Sequence, residues 1–472
     1  MITYIKINGF KSFQNFEMQF TPLTVIAGVN ASGKSNLFDA LKLLSRLAET
    51  DLKTAFSEQR GNANELFTQY DDENYATEMN FTIDILVNRK ITDNWGGEAE
   101  LNNTRLRYRL SIARGTSEYG IQNLNIAHES LEKIKPEEDK WVKKMLPKEA
   151  KHLWKTLRAG GAKVPFIKVE KEGEKLAIKI RQDGGHGGKA TPANAASQTV
   201  LGSINSVDFK HAFAAKEEMR KWKFLQLNPD DLKEPTKQDL GLKDEITQTG
   251  KNLAAALYRI KKQDPYAIKE ISRKINSFLP NFTDVEVYDD APNKQYIIKL
   301  KGEDGKEFSS RVLSEGTLRI LALCVLEYDN DHTGLLCFEE PENGIHPFRI
   351  TAIAQLLKNL SVDFNEAFDF LRQVIVNTHS PVLISTLIQW KNDLNVSVWL
   401  SKQNTLVFEI NGKKIKLKVS RVSQVIKESE KQLSLFEHTT ENERKLTLTE
   451  TENYLKTADA ELAIQAIGRW DK

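Results

Sequence analysis

The sequence predicts an α/β protein: a mixed sheet carrying a glycine-rich loop, with an antiparallel β lobe. Three observations predict it. An apolar strand at 23–27 runs into Gly28-Val29-Asn30-Ala31-Ser32-Gly33-Lys34-Ser35, and an amphipathic helix follows at once. Short apolar strands at 335–338, 374–376 and 396–400 alternate with helical segments, as in a doubly wound sheet. Residues 81–87 and 105–113 alternate apolar and polar side chains with the period of two of antiparallel strands.

The elements follow in order. Ile5 and Ile7 share one side of an opening strand, and Leu37, Leu41, Leu44 and Leu47 form the buried stripe of the helix after the loop. Residues 131–157 are rich in Lys and Glu and read as helix. Residues 166–181 read as a hairpin turning near Glu172-Gly173, and 183–199 as a mobile loop rich in small residues. Helical pattern returns at 209–222 and 249–278. Segments 295–300 and 307–313 flank an Asp304-Gly305 turn, Asn411-Gly412 turns another hairpin, and a polar linker at 428–445 leads to a last helix near 447–467. No heptad pattern is sustained, so no long coiled-coil arm is expected.

Composition narrows the class. The chain has 472 residues, 40% hydrophobic and 28% charged, enough for a large core in two or three lobes. No stretch reaches the ~18 apolar residues of a membrane span, and the first residues lack signal-peptide order, so a soluble cytoplasmic protein is expected. Cys324 and Cys337 lie in apolar runs without metal-ligand spacing and read as reduced core residues. The net charge of +2 is uneven, because residues 131–190 hold 16 Lys/Arg against 9 Asp/Glu. Such a segment can contact nucleic acid, although Lys-Glu pairing on a solvated face is the simpler explanation.

Several motifs carry chemistry. In the phosphate-loop pattern the glycines let successive backbone N–H groups converge on phosphate oxygens, Lys34 neutralises them, and Ser35 can ligate Mg²⁺. The contacting residues are Asn30, Ala31, Ser32, Gly33, Lys34, Ser35 and Asn36. The strand at 335–338 ends in Glu339-Glu340-Pro341-Glu342: Glu339 would hold Mg²⁺, and Glu340 would act as general base toward the attacking water. His379, after the strand at 374–376, can reach a phosphate or that water. Ser314 reads as a helix N-cap, and with Glu315, Gly316 and Thr317 it can also face the nucleotide of another subunit. Gln59 and Gln69 are candidates for a glutamine that senses Mg²⁺.

Together these pieces resemble the ABC-type ATPase superfamily in the branch holding SMC, RecF and OLD proteins, most closely the OLD-like AAA ATPases of bacterial anti-phage systems. The resemblance rests on five segments in the family's order. These are the opening at 5–13, the loop ending Gly33-Lys34-Ser35-Asn36, Leu313-Ser314-Glu315-Gly316-Thr317-Leu318-Arg319, the run 338–347, and Asn377-Thr378-His379-Ser380-Pro381. Residues 222–229 and Gly250-Lys251-Asn252-Leu253-Ala254 also look like this branch.

The resemblance implies an ABC-type P-loop ATPase head using ATP and Mg²⁺. The Ser314 segment would be the signature acting in trans, Asn343 the D-loop residue, His379 the H-loop residue and Gln59 a Q-loop candidate. It divides the chain into an N-terminal head part at 1–90, a large inserted α+β lobe at 91–290, a C-terminal head part at 291–427, and an appendage at 428–472. Ala31 stands where the family has glycine, which is tolerable if its φ stays negative, and Glu339 stands where the family has aspartate.

The function expected is an ATPase that forms a homodimer or higher even oligomer on ATP and regulates a separately encoded effector, such as a TOPRIM-like nuclease, in phage defence. No intrinsic nuclease is expected, because Asp329-Asn330-Asp331 is the one Asp-x-Asp triplet and reads as a solvent loop. A RecF- or SMC-like DNA clamp is the alternative. A transporter subunit and a toxin of a toxin–antitoxin pair are further readings, and no membrane partner is expected.

Overall fold

The computed structural model describes residues 1–116, 122–146, 164–172, 175–182, 188–192, 196–239, 241, 244–366, 371–390, 393–410 and 413–425. The linker and helix expected beyond residue 428 lie outside the described residues, as do the turns at 173–174 and 411–412.

A six-stranded sheet organises the molecule. Its order is Lys223–Leu225, Gly334–Glu339, Arg372–Thr378, Leu23–Ala27, Val396–Ile410 and Lys413–Gln424. The first five are parallel and the last returns antiparallel, pairing from Trp399↔Gln424 to Ile410↔Lys413. The central strands are near-continuous apolar runs because both faces of the sheet are covered. Alternate residues part to opposite sides: Ile26, Leu335, Cys337 and Ile375 join one core, while Val25, Leu336, Phe338 and Val376 join another. Both cysteines are free and buried.

The first core fills the space between this sheet, the helix Lys34–Leu47 and an eight-stranded antiparallel sheet. That second sheet runs Gly188–Pro192, Lys175–Arg181, Ile167–Glu172, Gln122–Lys133, Arg105–Thr116, Glu78–Leu86, Ile2–Asn8, Phe16–Gln19. The boundary expected at residue 90 therefore runs through one continuous sheet. The second core packs the helices Leu253–Gln263, Pro265–Phe278, Glu315–Glu327 and Ile350–Leu360 on the far side.

Three expectations need correction. The helix expected from residue 131 is strand through Lys133, and within 131–146 helix is confined to Lys140–Met145. Cross-strand pairing of Glu132 with Arg107 supplies the sheet partner that Lys/Glu composition hides. Within the loop expected at 183–199, Gly188–Pro192 is an edge strand paired to Lys175–Arg181. The Asp329-Asn330-Asp331 turn is only partly solvated: Asp329 is buried and paired to Arg259 at 2.8 Å, while Asp331 is exposed.

Arg372 opens the strand that leads to His379. Its guanidinium donates to the carbonyls of Leu326, Glu327, Asp329 and His332 at 2.6 to 3.2 Å. A cation thus closes the C-terminal end of Glu315–Glu327, where the helix dipole favours it.

Candidate nucleotide site

The phosphate loop lies between Leu23–Ala27 and the helix Lys34–Leu47. That helix is N-capped by Gly33 in the left-handed region with no side-chain hydrogen bond, which leaves its first amides to the loop's concave side. Lys34 curls over the loop, its Nζ donating to Gly28 O at 2.7 Å and Val29 O at 2.9 Å. Burial pulls its ammonium below the usual lysine range, against the raising effect of Glu340.

Ala31 departs from expectation. Its φ is +63°, in the left-handed region, not negative. For an L-residue that conformation costs about 1–2 kcal/mol. The Ala31 carbonyl accepts from Gln403 Nε2 at 2.7 Å. The glycine usual at this position in the family has a conformational reason that the sequence does not display.

The acidic strand Gly334–Glu339 ends beside the loop. Ser35, Glu339, Glu340, Asn343 and Asn377 line one cleft of about 540 Å³, together with Gln226 and Arg319. Asn377 Nδ2 lies 3.5 Å from Ser35 Oγ, which places the parallel strand between the loop and the acidic pair. Glu340 accepts from Asn343 Nδ2 at 2.6 Å and lies 2.8 Å from His379 Nδ1, so the expected base, D-loop and H-loop residues form one hydrogen-bonded group. The Glu340 backbone has φ +48° directly before Pro341, a conformation disfavoured for any residue preceding proline. Its N–H is fixed by Asn377 O at 2.8 Å.

Glu339 faces Arg60 at 3.7 Å. Burial raises its carboxyl above the usual range, Arg60 counters that, and Asp39 and Glu340 reinforce it. Glu342 is buried and bonded to the Thr378 hydroxyl, joining the acidic turn to the His379 segment.

The signature residues sit at the N-terminus of Glu315–Glu327. Ser314 Oγ accepts from Thr317 N at 3.3 Å, so in this subunit it is the N-cap the sequence predicts. Glu315 pairs with Arg319 at 2.8 Å. A Cβ on Gly344 would lie 2.2 Å from Glu315 Cδ, and a Cβ on Gly316 3.2 Å from Gly344 O, so signature and D-loop backbones are in close contact. Ser314 is absent from the residues that line this subunit's cleft, whereas Arg319 is among them.

Neither glutamine candidate lines the cleft. Gln59 is buried, with Nε2 donating to Ala55 O at 3.2 Å, and Gln69 is exposed. The glutamine that does is Gln226, within the 222–229 segment. Sequence reasoning also missed Arg60 beside Glu339, Asn377 beside Ser35, and three residues behind the loop: Ser401, Gln403 and Ser420. The two serines each lie between an apolar and a basic residue of a strand, with no local pattern to mark them.

The donor set suits Mg²⁺. A serine hydroxyl and one carboxylate of hard oxygen character, beside phosphate positions, is the sparse protein contribution that ion takes. Among the described residues no cluster of three or more His, Cys, Asp or Glu suits a fully protein-ligated metal.

Solved structures similar to this chain include three SMC heads. The chain is similar in structure to an SMC head bound to the C-winged helix domain of ScpA (TM-score 0.47, 13% identity, 90% of this chain and 98% of that one). It is also similar to the SMC head domain from Thermotoga maritima (TM-score 0.35, 14% identity, 90% and 98%). A third is the SMC head with an extended coiled coil bound to the C-terminal domain of ScpA, from Pyrococcus furiosus (TM-score 0.42, 13% identity, 96% and 99%). No curated protein matches. The AAA_21 family model, described as "AAA domain, putative AbiEii toxin, Type IV TA system", matches residues 23–385. That match holds the phosphate loop, the signature segment, the acidic strand and His379, and by it the chain, an ABC-type P-loop ATPase fold, belongs to the AAA_21 family.

Proposed function

We infer that this protein binds and hydrolyses Mg·ATP, dimerises head to tail on ATP, and uses that closure to regulate a separately encoded effector, in the setting of phage defence. The observation that supports the ATPase reading is that Ser35, Glu339 and Glu340 line one cleft, next to the Lys34 of the same loop and with His379 bonded to Glu340. Lys34 and the loop amides bind phosphate, Ser35 and Glu339 hold Mg²⁺, and the metal when bound neutralises phosphate charge. Glu340 takes the proton of the attacking water, and Asn343 and His379 hold its carboxylate in place. The strained Glu340 backbone supports a functional reading, because such strain is kept where the surroundings impose it.

Ser314 supports the dimer: it caps its own helix and is not among the residues lining its own subunit's cleft, as expected of a residue that acts on the nucleotide of a second subunit. Sizing with light scattering tests this: Glu340→Gln with Mg·ATP should double the apparent mass, and an unchanged mass counts against the dimer. Co-purification with the product of the adjacent gene tests the effector.

A DNA-clamping role has the charge of residues 131–190 in its favour. Part of that basic charge is engaged within the segment, since Lys179 and Arg181 both pair with Glu170. Salt-dependent DNA binding without a partner protein would favour it. The family description also names a toxin, and growth arrest on expression of this chain alone would favour that role.

A further inference from the structure

The strand pair Val396–Ile410 and Lys413–Gln424 lies beyond the residues the family model matches, yet it forms the back wall of the phosphate loop. Ser401 Oγ and Ser420 Oγ both donate to the Ser32 carbonyl, at 3.1 and 3.0 Å, and Gln403 Nε2 donates to the Ala31 carbonyl at 2.7 Å. Ser401 and Ser420 are buried, so water cannot replace them.

Proton accounting gives the network a direction. Ser420 has one hydroxyl proton and places it on Ser32 O, so the 2.7 Å contact between Ser12 and Ser420 is donated by Ser12. Ser12 in turn accepts from Asn36 Nδ2 at 2.7 Å. The chain of donors thus begins at Asn36 in the first turn of the loop helix and ends on the loop itself.

Every peptide here is trans, so the N–H of Gly33 points opposite to the Ser32 carbonyl. With two hydroxyls pinning that carbonyl to the strand pair, the Gly33 amide is turned away from it, toward the side where a phosphate-loop amide must point. The strand pair packs directly against the Gly33 backbone, since a Cβ there would lie 1.8 Å from Ser420 Oγ.

We propose that Ser401, Gln403 and Ser420 are positioning residues for the nucleoside triphosphate: they preset the carbonyls of Ala31 and Ser32 so that the loop amides face phosphate. By reciprocity of linked equilibria, bound nucleotide tightens the strand pair. This rests on the reading of the loop as a triphosphate site.

The test uses the full chain, a fluorescent ATP analogue, and hydrogen exchange. Gln403 is exposed, so Gln403→Leu removes one donor at a surface position, and it should weaken ATP binding about three- to tenfold. Ser401→Ala combined with Ser420→Ala should weaken it about ten- to a hundredfold, with the loss falling on KM more than on kcat. Mg·ATP should slow exchange of the amides of both strands in the parent and do so less in the variants. Affinity within twofold of the parent in both variants, with Lys34→Ala still abolishing binding, overturns the positioning role and leaves the phosphate reading intact. A parent chain that binds no ATP overturns both.

Discussion

Gly33→Ala probes the packing behind the phosphate loop most sharply. Gly33 has φ +95°, and an added Cβ would lie 1.8 Å from Ser420 Oγ and 2.8 Å from Ser420 Cβ. The left-handed conformation costs alanine about 1–2 kcal/mol. Overpacking against a buried side chain adds about 1–3 kcal/mol. A combined cost of about 2–5 kcal/mol, drawn from the loop's binding-competent form, lowers ATP affinity by about thirtyfold to a few thousandfold. Replacing Ser420 with glycine removes the clash and leaves the strain. In that background Gly33→Ala should cost only about 1–2 kcal/mol, so the double-mutant cycle should return a coupling of about 1–3 kcal/mol. The assay is titration of a fluorescent ATP analogue against the parent, both single variants and the double. Equal costs of Gly33→Ala in the two backgrounds would refute the contact and the account of the loop built on it.

Ala31→Gly should stabilise the protein by about 0.5–1 kcal/mol, the relief of left-handed strain less the greater freedom of unfolded glycine. Thermal melting checks it, and a lower melting temperature would argue for negative φ at this position. Glu129 gives a pH signature: it is buried, accepts from Tyr108 Oη and the amides of Val200 and Leu201, and burial raises its carboxyl to about 6. The unfolded chain ionises this group near 4.5, so the folded state binds the extra proton between 4.5 and 6 and loses stability as pH rises through that window. Relative to Glu129→Gln, the parent should lose about 2 kcal/mol between pH 4.5 and pH 7 in denaturant melts. A pH-independent difference would show that Glu129 titrates normally.

The parts legible in the sequence were those with local, periodic or motif signals. The central strands announced themselves because burial on both faces makes them continuously apolar, as in Leu335-Leu336-Cys337-Phe338. The loop, the acidic strand end and His379 were legible because each chemistry needs particular residue types at fixed spacing. What stayed hidden depends on distant partners. Residues 131–133 carry helix-compatible side chains but take their conformation from a neighbouring strand. Ala31 carries no mark of its positive φ, and its carbonyl partner Gln403 lies 372 residues away. Gln59 matched a glutamine expected near the metal, but its turn buries it against Ala55, and Gln226 reaches the cleft from the strand Lys223–Leu225 at the opposite edge of the sheet.

The central claim is that one wall of the cleft binds the nucleotide and Glu340 turns it over. Equilibrium ATP binding and phosphate release, measured side by side on the parent and Glu340→Gln, separate the two roles. The account predicts binding within about threefold of the parent, since glutamine can still bond Asn343 and His379, and phosphate release slowed about 10²–10⁴-fold by loss of the general base. Phosphate release near the parent rate, with binding unchanged, would contradict it.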